Sequence, residues 1–458
     1  MKNKVVILGA GPCGIAMGYY LKKKARILIL EKNSYVGGIS TSKKYKKIYY
    51  DLGSHRFLPS FKGNALVFLK KNTKKKLQKN ERKGLIRLHN IWLKYPLRIF
   101  DAYKISFFTL IRWIFSSIYY KLVFFFIQYD NTSHHAFLRS FGKSFTKDFY
   151  KPFFSKVFGK DLKKLSDEQF KRRVSAKSIL NIIKKSISNF FKSEQNYYYY
   201  IPEGVGELYK EIEKKHLREN ILKDLNIRSI NIKKQIIIYN KNKKINYDKI
   251  VSTIPLNDLI KLTEPRPPKD IYNSGKYLKY RSIVLPYFVV RGTNKFESET
   301  LYFPEGKYIF NRVYFPDSYY KKNLKKKREI YIIGLEITCN FEDKIWKMNS
   351  RNLKNKILQN IKDLELFKEQ DIEDFFIEKE KYAYPIYLRN YSYHLEKVKN
   401  FYYKRGVMLN GRQGLFLHNN QHHSIEMAYY ASKALLSNNT IDTWKKKEIL
   451  FEKYQVTD

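Results

Sequence analysis

The sequence predicts an α/β fold, a parallel-sheet domain interrupted by a mainly helical insert and a β-sheet insert, and three observations predict it. Val5-Val6-Ile7-Leu8 is an apolar run of strand length. It feeds the glycine turn Gly9-Ala10-Gly11-Pro12-Cys13-Gly14, a helical stretch to Leu21 and a second strand, Arg26 to Leu30, that ends on Glu31. A middle stretch, 61–199, has helical periodicity and few glycines. A later stretch, 281–400, carries β-branched and alternating runs such as Ile283 to Val290, Tyr308 to Tyr314 and Glu329 to Thr338.

The N-terminal unit is a complete βαβ motif of Rossmann type, and each glycine in it has a mechanical reason. Gly9 permits the tight turn, Gly11 lets a pyrophosphate approach the backbone, and Gly14 lets the helix pack close to the strand. Pro12 and Cys13 complete the turn, and the helix N-terminus offers N–H groups to phosphate. Glu31, about twenty residues on, is the acceptor expected for a ribose 2′-OH, with Lys32 beside it. A second glycine pair, Gly37-Gly38, followed by Ile39 and Ser40, brings the chain past the pyrophosphate again. After a short lysine-rich strand comes Tyr50-Asp51-Leu52-Gly53-Ser54-His55-Arg56-Phe57.

These residues resemble the FAD-dependent amine oxidase superfamily, which carries a second Gly-Gly turn and a Gly-Gly-His-Arg-Phe-like loop over the flavin. The resemblance implies FAD rather than NAD. Further motifs follow in the family's order: Tyr95-Pro96-Leu97, Lys151-Pro152-Phe153 with Lys156-Val157-Phe158-Gly159, Arg172-Arg173-Val174, and Asp248 to Pro255, which includes Thr253. Then come Leu301-Tyr302-Phe303-Pro304 with Asn311-Arg312, Tyr384-Pro385, and Gly411-Arg412-Gln413-Gly414 with Asn419-Asn420-Gln421, running to His423-Ser424. They resemble the UDP-galactopyranose mutase branch and its protoporphyrinogen-oxidase-like bacterial neighbours. The organisation that follows is a discontinuous FAD-binding domain of residues 1–60, 200–280 and 401–440, with strands at Ile236 to Tyr239 and Lys249 to Thr253. The inserts are 61–199, mainly helical and facing substrate or membrane, and 281–400, a β-sheet; 441–458 form a tail.

The resemblance implies reduced FAD as the nucleophile that interconverts pyranose and furanose forms of a UDP-linked sugar, a step toward cell-surface polysaccharide. No net oxidation occurs, so the protein holds a diphosphate leaving group and excludes water. Arg173 and Arg312 are the implied clamp, since planar guanidiniums suit bidentate binding, with Tyr95, Tyr302 and Tyr384 donating to phosphate oxygens. His55 is implied on the loop over the flavin with Gly53 and Ser54. Ser424 heads an apolar helix, Ile425 to Leu436, whose amides face the isoalloxazine, while Gly411, Arg412, Asn420 and Gln421 complete the flavin contacts. The chain departs from the family pattern at Ser54, where relatives have glycine, at His418, where a tyrosine is usual but a histidine can still donate to phosphate, and at His422, where an aspartate is usual. The alternative is an FAD-dependent oxidoreductase acting on an apolar amine, porphyrinogen or polyene. The two arginines favour the mutase, because an apolar tunnel has no use for desolvated guanidiniums; the aromatic-rich first insert favours the oxidoreductase. His418, His422, His423 and Glu426 include ligand-compatible i, i+4 spacing, but they sit inside the implied flavin segment, so no metal is expected.

A net charge of +48 is a field that attracts anions, although Lys, Ile, Asn, Tyr and Phe are over-used together, the drift of a genome poor in G and C. The partners expected are a UDP-sugar and an electron donor such as NAD(P)H, without nucleic acid; the oligomeric state is open. Cys13 and Cys339 are too few for a disulfide framework, and the chain starts on a strand without a secretory signal, so a cytoplasmic site is expected. Cys13 is read as a buried packing residue. Phe107 to Ile127 has the length of a bilayer span but contains Arg112 and Lys121. It is read as a packed helix of the substrate domain, with peripheral attachment at the inner face of the membrane as the alternative.

Overall fold

The computed structural model describes residues 3–59, 61–73, 76–95, 99–174, 178, 197–294, 296–319 and 329–456. Lys4–Leu8 is the central strand of a five-stranded parallel sheet, ordered Val407–Leu409, Lys249–Ser252, Lys4–Leu8, Arg26–Leu30, Ile221–Leu222. These strands are short, nearly continuous apolar runs because both faces are covered, as parallel sheets require; Val6, Ile7 and Leu8 are fully buried. The helix Pro12–Leu21 packs against the late helix Gln421–Leu435, so the two ends of the chain close one core. Ile236–Tyr239 does not join this sheet. It lies in a separate four-stranded sheet between Ile227–Asn231 and Lys243–Asn246, paired antiparallel to both, because its neighbours in sequence are hairpin partners at short range.

A seven-stranded sheet faces this domain, ordered Ile372–Ile386, Lys279–Arg291, Ile330–Cys339, Arg312–Tyr314, Thr300–Tyr302, Gly84–Leu88, Ile91–Tyr95. The expected strands at 283–290 and 329–338 are present. The expected strand 308–314 is confined to Arg312–Tyr314. The last two strands of the sheet come from the first insert, which is therefore less helical than its periodicity predicts. The cause is a two-residue turn at His89-Asn90, both at positive φ (51° and 63°), which lets Gly84–Leu88 fold back on Ile91–Tyr95 in the twist a hairpin needs.

The rest of the described first insert is helical: Phe107–Val123, Ser133–Phe145, Lys151–Phe158 and Asp167–Arg173 surround an aromatic core that includes Phe137, Phe141, Phe154 and Phe158. Tyr302 and Ile386 of the sheet belong to the same core, so helices and sheet are one packed unit. Lys156 locks them together, its Nζ donating to the carbonyls of Phe303, Glu305 and Phe310 (2.8, 2.5 and 3.1 Å), and burial pushes its pKa down to about 7. The reading of 107–127 as a packed helix holds for one face only. Trp113 is buried there, while most of the apolar side chains point outward, because among the described residues the helix packs mainly on Ser133–Phe145. No helix among the described residues is long and apolar enough to cross a membrane.

Candidate active site

The carboxyl ends of the central parallel strands draw both glycine turns and the C-terminal segment to one point. Gly9 has φ +96°, a left-handed value, and a Cβ there would stand 2.7 Å from Thr253 Oγ1, whose hydroxyl donates to Leu8 O (2.7 Å). A Cβ on Gly14 would collide with Gly9 O. Gly37 N–H donates to Ala10 O (2.8 Å), and the Cβ position of Gly38 is 3.5 Å from Gly11 Cα, so the two turns face each other. From the far end of the chain, Gly411 packs against Cys13, its Cβ position 3.0 Å from that of the cysteine. Burial raises the Cys13 thiol pKa, which suits packing rather than reactivity. The cradle fits a dinucleotide: nothing stands within 4 Å of where a Gly11 Cβ would be, and the helix beginning at Pro12 has no side-chain cap on its first amides. Glu31 closes the floor. Its carboxylate accepts from Ala10 N–H (2.7 Å) and Asn33 N–H (2.9 Å), burial raises its pKa, and Lys32 beside it is exposed.

Next to this cradle opens a cleft. Of the residues singled out in the sequence, its walls bring together Ile39, Ser40, Gly53, Ser54, His55, Arg173, Arg312, Tyr384, Arg412, His418, Asn420 and Gln421. The 53–55 loop follows strand Ile48–Asp51 and is pinned to the β-sheet insert. Gly53 N–H donates to Tyr314 Oη (3.1 Å), Ser54 N–H donates to Glu336 Oε1 (2.9 Å), and the Ser54 hydroxyl bonds to that of Tyr319. Ser54 therefore anchors where a glycine could not. Arg173 ends the helix Asp167–Arg173, Arg312 opens a strand, and Arg412 is held by the carbonyls of Ala383 (3.2 Å) and Asn419. His55 is enclosed, its pKa pushed down to about 3 by burial and then by the charges of Arg412 and Arg312, so it is neutral. Its Nδ1 has no hydrogen-bond partner, which at a cleft wall marks room for a ligand. Burial raises the Tyr384 phenol, keeping its proton on oxygen. His418 stands beside Tyr384, its ring 5.4 Å away, and its backbone N–H donates to Tyr387 Oη (2.7 Å).

The helix at the cleft starts earlier than expected, at Gln421 rather than Ser424. Asn420 caps it reciprocally with His423, whose Nδ1 accepts from Asn420 N–H (3.2 Å), and Gln421 Oε1 accepts from Tyr209 Oη (2.7 Å). The first-turn amides thus belong to residues 421–423, and Ser424 is buried one step inside, its Oγ 3.4 Å from Asn419 Oδ1. His422 lines the cleft with an unpartnered Nδ1, and burial lowers its pKa to about 4. Glu426 turns away from the histidines to accept from Asn64 Nδ2 (2.7 Å) and Ala65 N–H (3.1 Å). Among the described residues no three His, Cys, Asp or Glu side chains are grouped to hold a metal.

Tyr95 and Tyr302 are not brought to the cleft. Tyr302 Oη accepts from Arg56 (3.1 Å) and its ring packs 4.4 Å from that of Tyr95, while Pro96 and Leu97 of the same motif lie outside the described residues. Two charged cleft residues were assigned no role from the sequence. Arg56 is buried against Glu299 (2.7 Å). Glu336 is buried 3.5 Å from Arg312 Nε, and its signal was present: an acid within the apolar strand run Ile332-Ile333-Gly334-Leu335-Glu336-Ile337.

Turn, sheet and cradle define a dinucleotide-binding α/β protein, and residues 7–71 match the family model described as an NAD(P)-binding Rossmann-like domain. Over the whole chain the fold is that of a solved reduced UDP-galactopyranose mutase, 20% identical, covering 100% of this chain and 99% of that one with a TM-score of 0.82. It is shared with a protein of Exiguobacterium sp. 255-15 named as a protoporphyrinogen oxidase (13%, 95% and 99%, 0.71) and with putrescine oxidase bound to putrescine (11%, 95% and 99%, 0.62). No curated protein matches the chain in sequence.

Proposed function

We propose that this chain is an FAD-dependent enzyme that interconverts the pyranose and furanose forms of a UDP-linked sugar. The observation that carries the reading is the set of three guanidiniums, Arg173, Arg312 and Arg412, in one cleft beside neutral His55 and the N-terminus of Gln421–Leu435. The whole-chain likeness to the mutase structure supports it. The Gly9–Gly14 and Gly37–Gly38 turns with Glu31 would hold the pyrophosphate and ribose of FAD; residues 53–55, Arg412 and residues 420–422 would hold its ring. The flavin site then draws on 1–60, 200–280 and 401–440, and the substrate side on the two inserts. Reduced FAD supplies an electron-rich ring nitrogen that can bond to an anomeric carbon and release it.

The chain's own residues do the rest. Arg173 and Arg312 hold the diphosphate bidentately, and Tyr384 donates its phenol proton to a phosphate oxygen. The helix N-terminus and Arg412 favour negative charge beside them. His55 offers a neutral ring nitrogen, and Leu52, Leu58 and Phe61 exclude water.

One observation favours a second reading, an FAD-dependent oxidoreductase for an apolar substrate: Glu336 neutralises Arg312, and Leu52, Leu58, Phe61, Ile283 and Val456 also line the cleft. One experiment separates the two. The protein reduced with dithionite or NAD(P)H is given UDP-galactopyranose and the product is resolved by chromatography. The mutase reading expects UDP-galactofuranose from reduced protein and none from oxidised protein. Flavin bleaching by amines or porphyrinogens, with no response to UDP-sugars, would overturn it.

A further inference from the structure

Eleven of the seventeen large apolar side chains exposed among the described residues fall within 103–127. They follow a helical rule: Phe108, Phe115, Tyr119, Leu122 and Phe126, at steps of seven, four, three and four residues, fall along one stripe of Phe107–Val123 and its extension, with Phe108 81%, Phe115 67% and Phe126 90% exposed. The opposite face packs on Ser133–Phe145 at close range, since a Cβ on Gly142 would stand 2.5 Å from the backbone of Ser116 and Ser117. This outward face is therefore not spare core. A monomer rarely leaves so much contiguous aromatic surface in water.

Charge decides what covers it. Residues 103–151 hold seven Lys or Arg and two Asp, and one of those acids, Asp148, is taken by Arg112 and by Trp113 Nε1 (2.8 Å). Lys121, Arg139, Lys143 and Lys147 are exposed on this helix pair and the turn after it. A second copy would set this basic region against its own like. An anionic headgroup layer complements it, takes the aromatic stripe to the depth of the acyl boundary, and needs no spanning helix. We propose that residues 103–127 dock this protein on an anionic phospholipid surface, with Phe107–Val123 lying in the plane of the headgroups and Lys121 reaching up to the phosphates.

The test is co-sedimentation of the full-length protein with vesicles of phosphatidylcholine alone and of phosphatidylcholine with roughly one quarter phosphatidylglycerol. Binding is expected to the anionic vesicles and to fall as salt rises. Replacing Phe115, Phe125 and Phe126 together by Ser should lower it at least about a hundredfold, because each buried phenyl contributes on the order of a tenfold or more. These side chains are exposed, so the triple variant should keep the wild-type melting curve and circular dichroism. Absent binding to anionic vesicles, or equal binding by wild type and variant, overturns the proposal. So does self-association in light scattering that the triple variant abolishes, which would assign the face to a second copy.

Discussion

The Arg312→Ala substitution leaves the Glu336 carboxylate, 2% exposed, without the guanidinium that sits 3.5 Å away. Removing one partner of a buried pair costs about 3–5 kcal/mol, because the remaining charge is left in a poor solvent. Glu336 Oε1 keeps the Ser54 N–H at 2.9 Å, which places the loss near the lower end, about 3 kcal/mol. Loss of the cation 5.1 Å from the Tyr302 ring adds roughly 0.5–1 kcal/mol. Against a net stability of about 5–15 kcal/mol this is a large fraction. The double variant Arg312→Met with Glu336→Gln removes both charges and should recover to within roughly 1–2 kcal/mol of wild type, giving a coupling energy of at least about 1.5 kcal/mol. Urea unfolding followed by circular dichroism reads the stabilities, and calorimetric titration of UDP into reduced protein reads the clamp. Arg173→Ala, at a helix end, should weaken UDP by about 1.5–3 kcal/mol with a smaller stability loss. A double variant no more stable than Arg312→Ala would refute the ion-pair reasoning, and unchanged UDP affinity in both arginine variants would remove the clamp.

Three further outcomes are expected. Gly11→Val should leave the fold within about 1 kcal/mol of wild type, because φ is −69° and its Cβ meets nothing within 4 Å, yet it should lose flavin, read from the absorbance ratio of the purified protein. His55 and His422 stay neutral in the fold down to about 3 and 4 but titrate near 6.5 when unfolded, so their contribution is complete above that pH and is lost as pH falls below it. At pH 5.5 the loss is about 1.4 kcal/mol each; Asp51, raised by burial to about 7, runs the opposite way, so the stability difference between wild type and His55→Asn/His422→Asn across pH is the readout, and a flat difference would contradict it. Mutase turnover should require prior reduction yet consume no reductant or oxygen in proportion to product, checked by oxygen electrode and by NAD(P)H absorbance.

Legibility in the sequence followed the range of the forces involved. The Gly9–Gly14 turn, Glu31 and the flanking strands were readable because each is fixed by contacts within about thirty residues, and a glycine's reason is stated by its own backbone. The long-range pieces were readable only through resemblance. It brought His55, Arg312, Arg412 and Gln421 into one cleft, but gave Tyr302 a task that the structure gives to packing against Tyr95 and bonding Arg56. Glu336 went unread because an acid in an apolar strand announces a buried charge without naming its partner. The His89-Asn90 turn was missed because positive φ at two non-glycine residues is paid for by the strands it joins. The same limit governs 107–127. Period and length distinguish an apolar helix from a loop, but which side is covered depends on a partner elsewhere in the chain, here Gly142, whose lack of a side chain admits Ser116 and Ser117 and so turns the phenylalanines outward.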